Sequence, residues 1–161
     1  MSESTIPDAE DTLARTLWGE ARGCGAAGMR HVASVILNRA AHPRWWGHDV
    51  ASVCLAPEQF SCWNVGDPNR AKLLAVTSAD PWFSIAQGIA GAALSGGNPD
   101  ETHGADSYYA LSMETPPAWT KSAVHTYSDG WHSFWRVAST IPVANVDTAA
   151  QKGQTGTGES E

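Results

Sequence analysis

LARTLWGEARGCGAAGMRHVASVILNRA, residues 13–40, carries the pattern that decides the fold. Leu13, Leu17 and Ala21 recur at helical spacing, and Gly23 and Gly25 then stop the run, so a helix reads over residues 11–22 with Asp11 as its N-cap. A second helix follows over residues 26–41, where Met29, Val32, Ala33, Ile36, Leu37 and Ala40 form one apolar face and Arg30, His31, Ser34 and Asn38 the other. The short glycine link makes the two helices antiparallel neighbours. Glu20 lies seven residues after Leu13 and three after Leu17, at the edge of the core-facing stripe. A carboxyl group there is partly desolvated, which raises its pKa and suits a general acid. The competing reading is a helix-end acid paired with Arg22 or another base. Helical geometry leaves both open and by itself favours the ion pair.

Outward from this pair, GHDVASVCLAPEQF (47–60) reads as a short helix capped by Asp49 and stopped at Pro57. DPWFSIAQGIAGAALSGG (80–97) reads as a longer one, with Asp80 as cap, Pro81 in the first turn and Gly96 past its end. A further short helix falls around residues 71–76. Aromatic and β-favouring residues predict extended structure at QFSCW (59–63), DSYYA (106–110) and HSFWRV (132–137), enough for a small sheet beside the helices. The expected class is α+β, mainly α. Residues 1–10 and 145–161 read as disordered ends flanking one domain over 11–144, because after Val146 the chain lacks large apolar side chains to offset its ordering entropy.

A chain of 161 residues suits one domain with its own core. A formal charge of −7 and only ten Lys and Arg, scattered, argue against a nucleic-acid partner, whose phosphates require clustered cations. No apolar run approaches a membrane span, and the acidic start, MSESTIPDAE, lacks the features of a secretory signal. Synthesis in the cytoplasm is therefore expected, with no membrane partner and a monomeric state. Cys24, Cys54 and Cys62 show no metal-ligand spacing, and the histidines show none either, so neither a metal nor a cofactor is expected. A Cys54–Cys62 bridge is conceivable on spacing; free buried thiols are the reading adopted. Eight tryptophans give aromatic faces that suit sugar rings.

Four ordered blocks make the chain recognisable: ARTLWGEARGCGAAGMRHVASVILNR, PEQFSCWNVGDPNR, DETHGADSYYA and DGWHSFWR, together spanning residues 14–136. They closely resemble the SleB-type cell-wall hydrolase domain of spore-cortex lytic enzymes and related bacterial and phage proteins. The resemblance implies a lysozyme-like helical domain acting on the glycan strands of peptidoglycan, with the glutamate of the GEAR block, Glu20, as catalytic acid. It also implies lytic transglycosylation between N-acetylmuramic acid and N-acetylglucosamine, in which one carboxyl group serves as acid and then base. A hydrolytic muramidase is the alternative, and would need a second carboxylate at roughly 5–9.5 Å. Glu58, Asp67, Asp100, Glu101 and Asp106 are the candidates for it. Within the matched blocks, Gln59, Phe60, Ser61, Trp63, Tyr108 and Tyr109 are the expected substrate-binding residues. His132 and Glu58 are expected behind the acid, and Asn38 and Arg39 are read as polar anchors at a helix end. Glu58 and His103 stand where family members commonly have glycine. Without an export signal, the route expected to the wall is that of a phage endolysin released by a holin. A non-catalytic glycan-binding module is the reading from a different class, and the intact GEAR glutamate weighs against it.

Overall fold

The computed structural model describes residues 8–137. Of the ends expected to be disordered, residues 1–7 and 145–161 lie outside the described residues, as do residues 138–144 of the expected domain. Five α-helices and a three-stranded sheet follow in order: α1 (Ala9–Ala21), α2 (Gly25–Ala41), α3 (Val50–Leu55), α4 (Pro68–Ala75), α5 (Pro81–Leu94), β1 (Ser107–Ala110), β2 (Ala123–Ser128) and β3 (His132–Val137). This is the α+β, mainly α class that the sequence predicts.

Helix α1 forms the axis of the molecule, packing against α2, α3, α4 and α5. Its buried residues run from Thr12 to Ala21, interrupted only at Arg15, so it is enclosed on nearly every side rather than along one stripe. The cap is Asp8, which accepts from the Glu10 amide. Asp11, expected there, instead pairs with Arg15 at 2.8 Å across one turn. The helix thus begins two residues earlier, and Ala9 and Glu10 are ordered rather than part of a loose terminus. Arg15 continues to the carbonyls of Leu73 and Val76, closing the C-terminal end of α4.

Asp–Pro pairs start two helices by one mechanism. Asp80 accepts from the Trp82 and Phe83 amides ahead of α5, and Asp67 accepts from Asn69 ahead of α4, each with proline in the first turn, where no intrahelical donor is needed. Helix α4 therefore starts at Pro68, earlier than expected. Asp49 and Ser52 form a reciprocal capping box on α3.

The sheet has the order β1-β3-β2 and is antiparallel throughout, with Tyr108 opposite Phe134 and a register irregularity between His125 and Tyr127. Strand β2 is a finding beyond the sequence reading. In the other direction, QFSCW is not a strand: residues 61–63 form a 3₁₀ turn whose buried side chains pack into the helical core. β-Propensity reflects packing on a pleated surface, and here the same side chains are claimed by helices.

Gly19 explains how that turn reaches α1. A Cβ on it would lie 2.8 Å from both Cβ and Sγ of Cys62, so only glycine lets the Ser61–Trp63 turn approach so closely. The turn is then tied down by Trp63, whose indole N–H donates to Thr16 Oγ1 at 2.9 Å.

Candidate active site

Burial of α1 on all sides places the carboxyl group of Glu20 inside the protein, with 2% of the residue exposed. Three donors reach it: the Tyr108 hydroxyl to Oε1 at 3.2 Å, the Cys62 amide to Oε2 at 3.4 Å, and the Cys62 thiol. Tyr108 comes from β1 and Cys62 from the 3₁₀ turn, so sheet and helices meet at this one group. Burial pushes the Glu20 pKa up to about 7, against the opposing pull of the Cys62 and Tyr108 hydrogen bonds; the charge of Asp67 adds to the rise.

Arg22 does not pair with it. Its guanidinium donates to the Trp18 carbonyl and to Asn69 Oδ1, and lies 4.0 Å from the centroid of the Trp18 ring. The helix-end ion pair is thereby replaced by a stacked arginine on the other side of the helix. Burial likewise pushes the Cys54 thiol up to about 12 and the Cys62 thiol well above its ordinary value, and all three cysteines are buried and outside any disulfide. The Cys54–Cys62 bridge does not form.

His132 is buried and packs edge-on against the Tyr108 ring, with centroids 4.9 Å apart. Burial pulls its pKa down to about 4, so the ring is neutral near neutrality. It bears on Glu20 through Tyr108. Behind it, Asp129 accepts from the backbone amides of Trp131 and His132 and contacts His31 Nδ1 at 2.7 Å, while Glu101 meets His31 Nε2 at 3.0 Å. The Asp129 hydrogen bond raises the His31 pKa against burial. His31 and Ser34, read as one polar face of α2, are thus covered by the sheet and its neighbouring loops, and both are buried.

The remaining expected site residues separate into groups. Gln59 is buried and accepts from Arg39 Nη1, and Phe60 lies beneath the same guanidinium at 5.7 Å. Ser61 is buried at the start of the 3₁₀ turn, and Trp63 is half-buried on Thr16. Of these four, Gln59 and Trp63 direct their polar atoms to partners within the protein. Tyr108 touches the acid. Tyr109, its neighbour in β1, points to the opposite face of the sheet, into a separate cluster with Trp119 and Val137.

Glu58 is exposed, with φ of 62°, and His103 has φ of 59°. These are the two positions where the resemblance implies glycine, and a left-handed backbone favours glycine at both. The departure at Glu58 concerns the tight turn in which the Gln59 amide donates to the Ala56 carbonyl.

Among the carboxylates weighed as a second catalytic group, Asp67 is the one whose charge Glu20 feels. Asp100 is occupied by the Thr102 hydroxyl and amide, the Gly104 amide and Asn38. Glu101 sits on His31, and Asp106 accepts from the Val137 amide and the Ser107 hydroxyl. Asn38 and Arg39 do act as anchors, reaching the Ala105 and Asp106 carbonyls and so fixing the entry to β1 onto α2.

Trp131 was not distinguishable in the sequence from core tryptophans. It is 44% exposed, in the turn between β2 and β3, and its ring edge lies over Gly28 at the start of α2. Among the described residues no group of three or more His, Cys, Asp or Glu side chains could hold a metal ion, and no helix is long and apolar enough to cross a membrane.

The cell wall hydrolase family model matches residues 23–135, beginning just after Glu20. Among solved structures, the catalytic domain of the germination-specific lytic transglycosylase SleB from Bacillus anthracis is similar at 22% identity and a TM-score of 0.59, over 84% of this chain and 100% of that one. At that identity the likeness concerns the fold. No curated protein sequence matches. The family match covers most of the chain and includes the sheet, the 3₁₀ turn and Tyr108: the chain belongs to the cell wall hydrolase family.

Proposed function

We propose that this protein cleaves the glycan strands of peptidoglycan between N-acetylmuramic acid and N-acetylglucosamine, with Glu20 as acid and then base. The observation that carries the reading is a buried carboxyl group, hydrogen-bonded by Tyr108 and Cys62, whose pKa stands at about 7. At neutral pH such a group is protonated in a large fraction of molecules and still gives up its proton readily. Glu20 donates its proton to the glycosidic oxygen, and the bond from that oxygen to muramic C1 breaks. The carboxylate left behind accepts hydrogen bonds from the Tyr108 hydroxyl and the Cys62 amide. It then takes the proton of the muramic 6-hydroxyl as that oxygen bonds to C1, closing a 1,6-anhydro ring and restoring the acid. Access requires a side chain over the carboxyl group to move, since the residue is closed off from solvent in this state.

Glu20→Gln tests the assignment: the folded variant is expected to release no muropeptides from purified peptidoglycan, and undiminished release would refute it. Mass spectrometry of the products separates the two chemistries, anhydro ends marking transglycosylation and reducing ends hydrolysis. Hydrolysis is the second reading, with Asp67, whose charge Glu20 feels, as the candidate second carboxylate. Asp67→Asn keeps an amide able to cap α4, so loss of activity there would point to a working second carboxylate. An endolysin role belongs to the same proposal, and lysis that depends on co-expression of a holin would support it.

A further inference from the structure

A concave site lies toward the C-terminal end of α2, away from Glu20. A cavity of about 360 Å³ is lined by His42, Arg44, Trp46, Gly104, Asp106 and Arg136, among others. From Gly28, near the Glu20 end, to Asn38, beside this cavity, α2 advances by about 15 Å. We propose that this cavity binds a carboxylate of the short acidic peptides that peptidoglycan carries on its muramic units, a proposal that rests on the glycan-cleaving reading above.

The charge of the cavity supports this ligand. In a chain of net charge −7, two guanidinium groups converge here, and among the described residues neither lies within ion-pair distance of a carboxylate. The one acidic side chain in the wall, Asp106, has its Oδ1 committed to the Val137 amide and the Ser107 hydroxyl. Burial raises its pKa, against the pull of the Val137 and Ser107 hydrogen bonds and the charges of Arg39 and Arg44. Arginine pairs are suited to carboxylates because the planar fork meets two oxygens at once; N-acetylglucosamine carries no charge to match, and the lactyl carboxyl of a peptide-bearing muramic unit is tied up as an amide.

The walls are also fixed before any ligand arrives. Arg44 stands 4.9 Å over the Trp46 ring, and the Trp46 indole N–H is held by the Arg39 and His42 carbonyls. On the opposite side, the loop over residues 100–104 is tied by Asp100 to Asn38 of α2. Gly104 takes the left-handed φ of 85° that favours glycine, and Arg136 Nη1 lies beside it. A volume near the lower end of ordinary ligand pockets admits one or two peptide residues.

The test uses the full chain and its double variant Arg44→Gln with Arg136→Gln, both shown to be folded by thermal melting. The probe is the tetrapeptide L-Ala-γ-D-Glu-meso-diaminopimelate-D-Ala, with its fully amidated form and inorganic phosphate as controls. Calorimetric titration is expected to show the free acid binding at least about tenfold tighter than either control, and the double variant losing about tenfold. Equal binding of acid and amide, or phosphate binding as tightly as the peptide, would overturn the proposal. In the activity arm, the double variant is expected to raise KM about tenfold on intact peptidoglycan while leaving peptide-stripped glycan strands with amidated lactyl groups unaffected; equal effects on both substrates would overturn it. If the unaltered protein cleaves neither substrate, the glycan-cleaving reading fails, and the titration still decides whether the cavity takes the peptide.

Discussion

Glu20 couples catalysis and stability in opposite directions. Its folded pKa of about 7 stands above the unfolded value of 4.5, so the folded state holds its proton more tightly. The stability that this proton contributes is fully present below pH 4.5 and is lost as pH rises through 7, amounting to roughly 3 kcal/mol. Glu20→Gln removes the burden of a buried charge. The variant is therefore expected to unfold at higher temperature than the parent at pH 8 and at a similar temperature at pH 4, while lytic activity is abolished at both. Parent activity is expected to decline as pH passes about 7 on the alkaline side, because the donor form disappears. Glu58 has a different character. Its left-handed backbone is strained for any residue with a Cβ, and Glu58→Gly is expected to gain up to about 1 kcal/mol in chemical denaturation. That variant also reports on chemistry: full retained activity would separate Glu58 from the reaction.

At the scale of elements, the site depends on a close approach rather than on a strong bond. Gly19→Ala would drive a methyl group into Cys62, and the Ser61–Trp63 turn would have to withdraw from α1. A loss of about 1–3 kcal/mol is expected in urea denaturation, together with a fall in kcat, since the Cys62 donor moves with the turn. His31 joins α2 to the sheet through Asp129, whose side chain is buried, and less strongly through the exposed Glu101. Its raised pKa stabilises the fold below the unfolded value of 6.5, and that contribution disappears as pH rises through the higher folded value. His31→Gln is expected to cost roughly 3 kcal/mol at pH 6, where a buried carboxylate is left without its cation, and distinctly less at pH 9. The elements differ in how plainly the sequence announces them. Asp80–Pro81 and Asp49 with Ser52 mark helix starts through local hydrogen bonds, which a short window contains. Strand β2 is a half-exposed edge with little alternation, and its identity comes from pairing with β3, which no local window contains. QFSCW misleads for the related reason that its aromatic and sulfur side chains suit any apolar partner.

Over the whole molecule, the acid was legible because helical spacing placed it at the core boundary and the surrounding blocks carried a family likeness. Its neighbours were less so. Gln59 and Phe60 look like sugar contacts in a sequence, yet a buried arginine, Arg39, holds one by hydrogen bond and stacks on the other. Exposure is a property of the assembled chain, and the same limit kept Trp131 from standing apart from the core tryptophans. The acid's seat on α1, enclosed by four other helices, also ties function to the integrity of the whole fold. An enclosed central helix opens only when the surrounding layers open, so its amides should exchange with solvent at the slowest, globally limited rate. Heat or denaturant is then expected to remove activity and tertiary structure in one shared transition, without an earlier step confined to the site. Residual lysis after thermal stress would serve as a direct count of intact molecules.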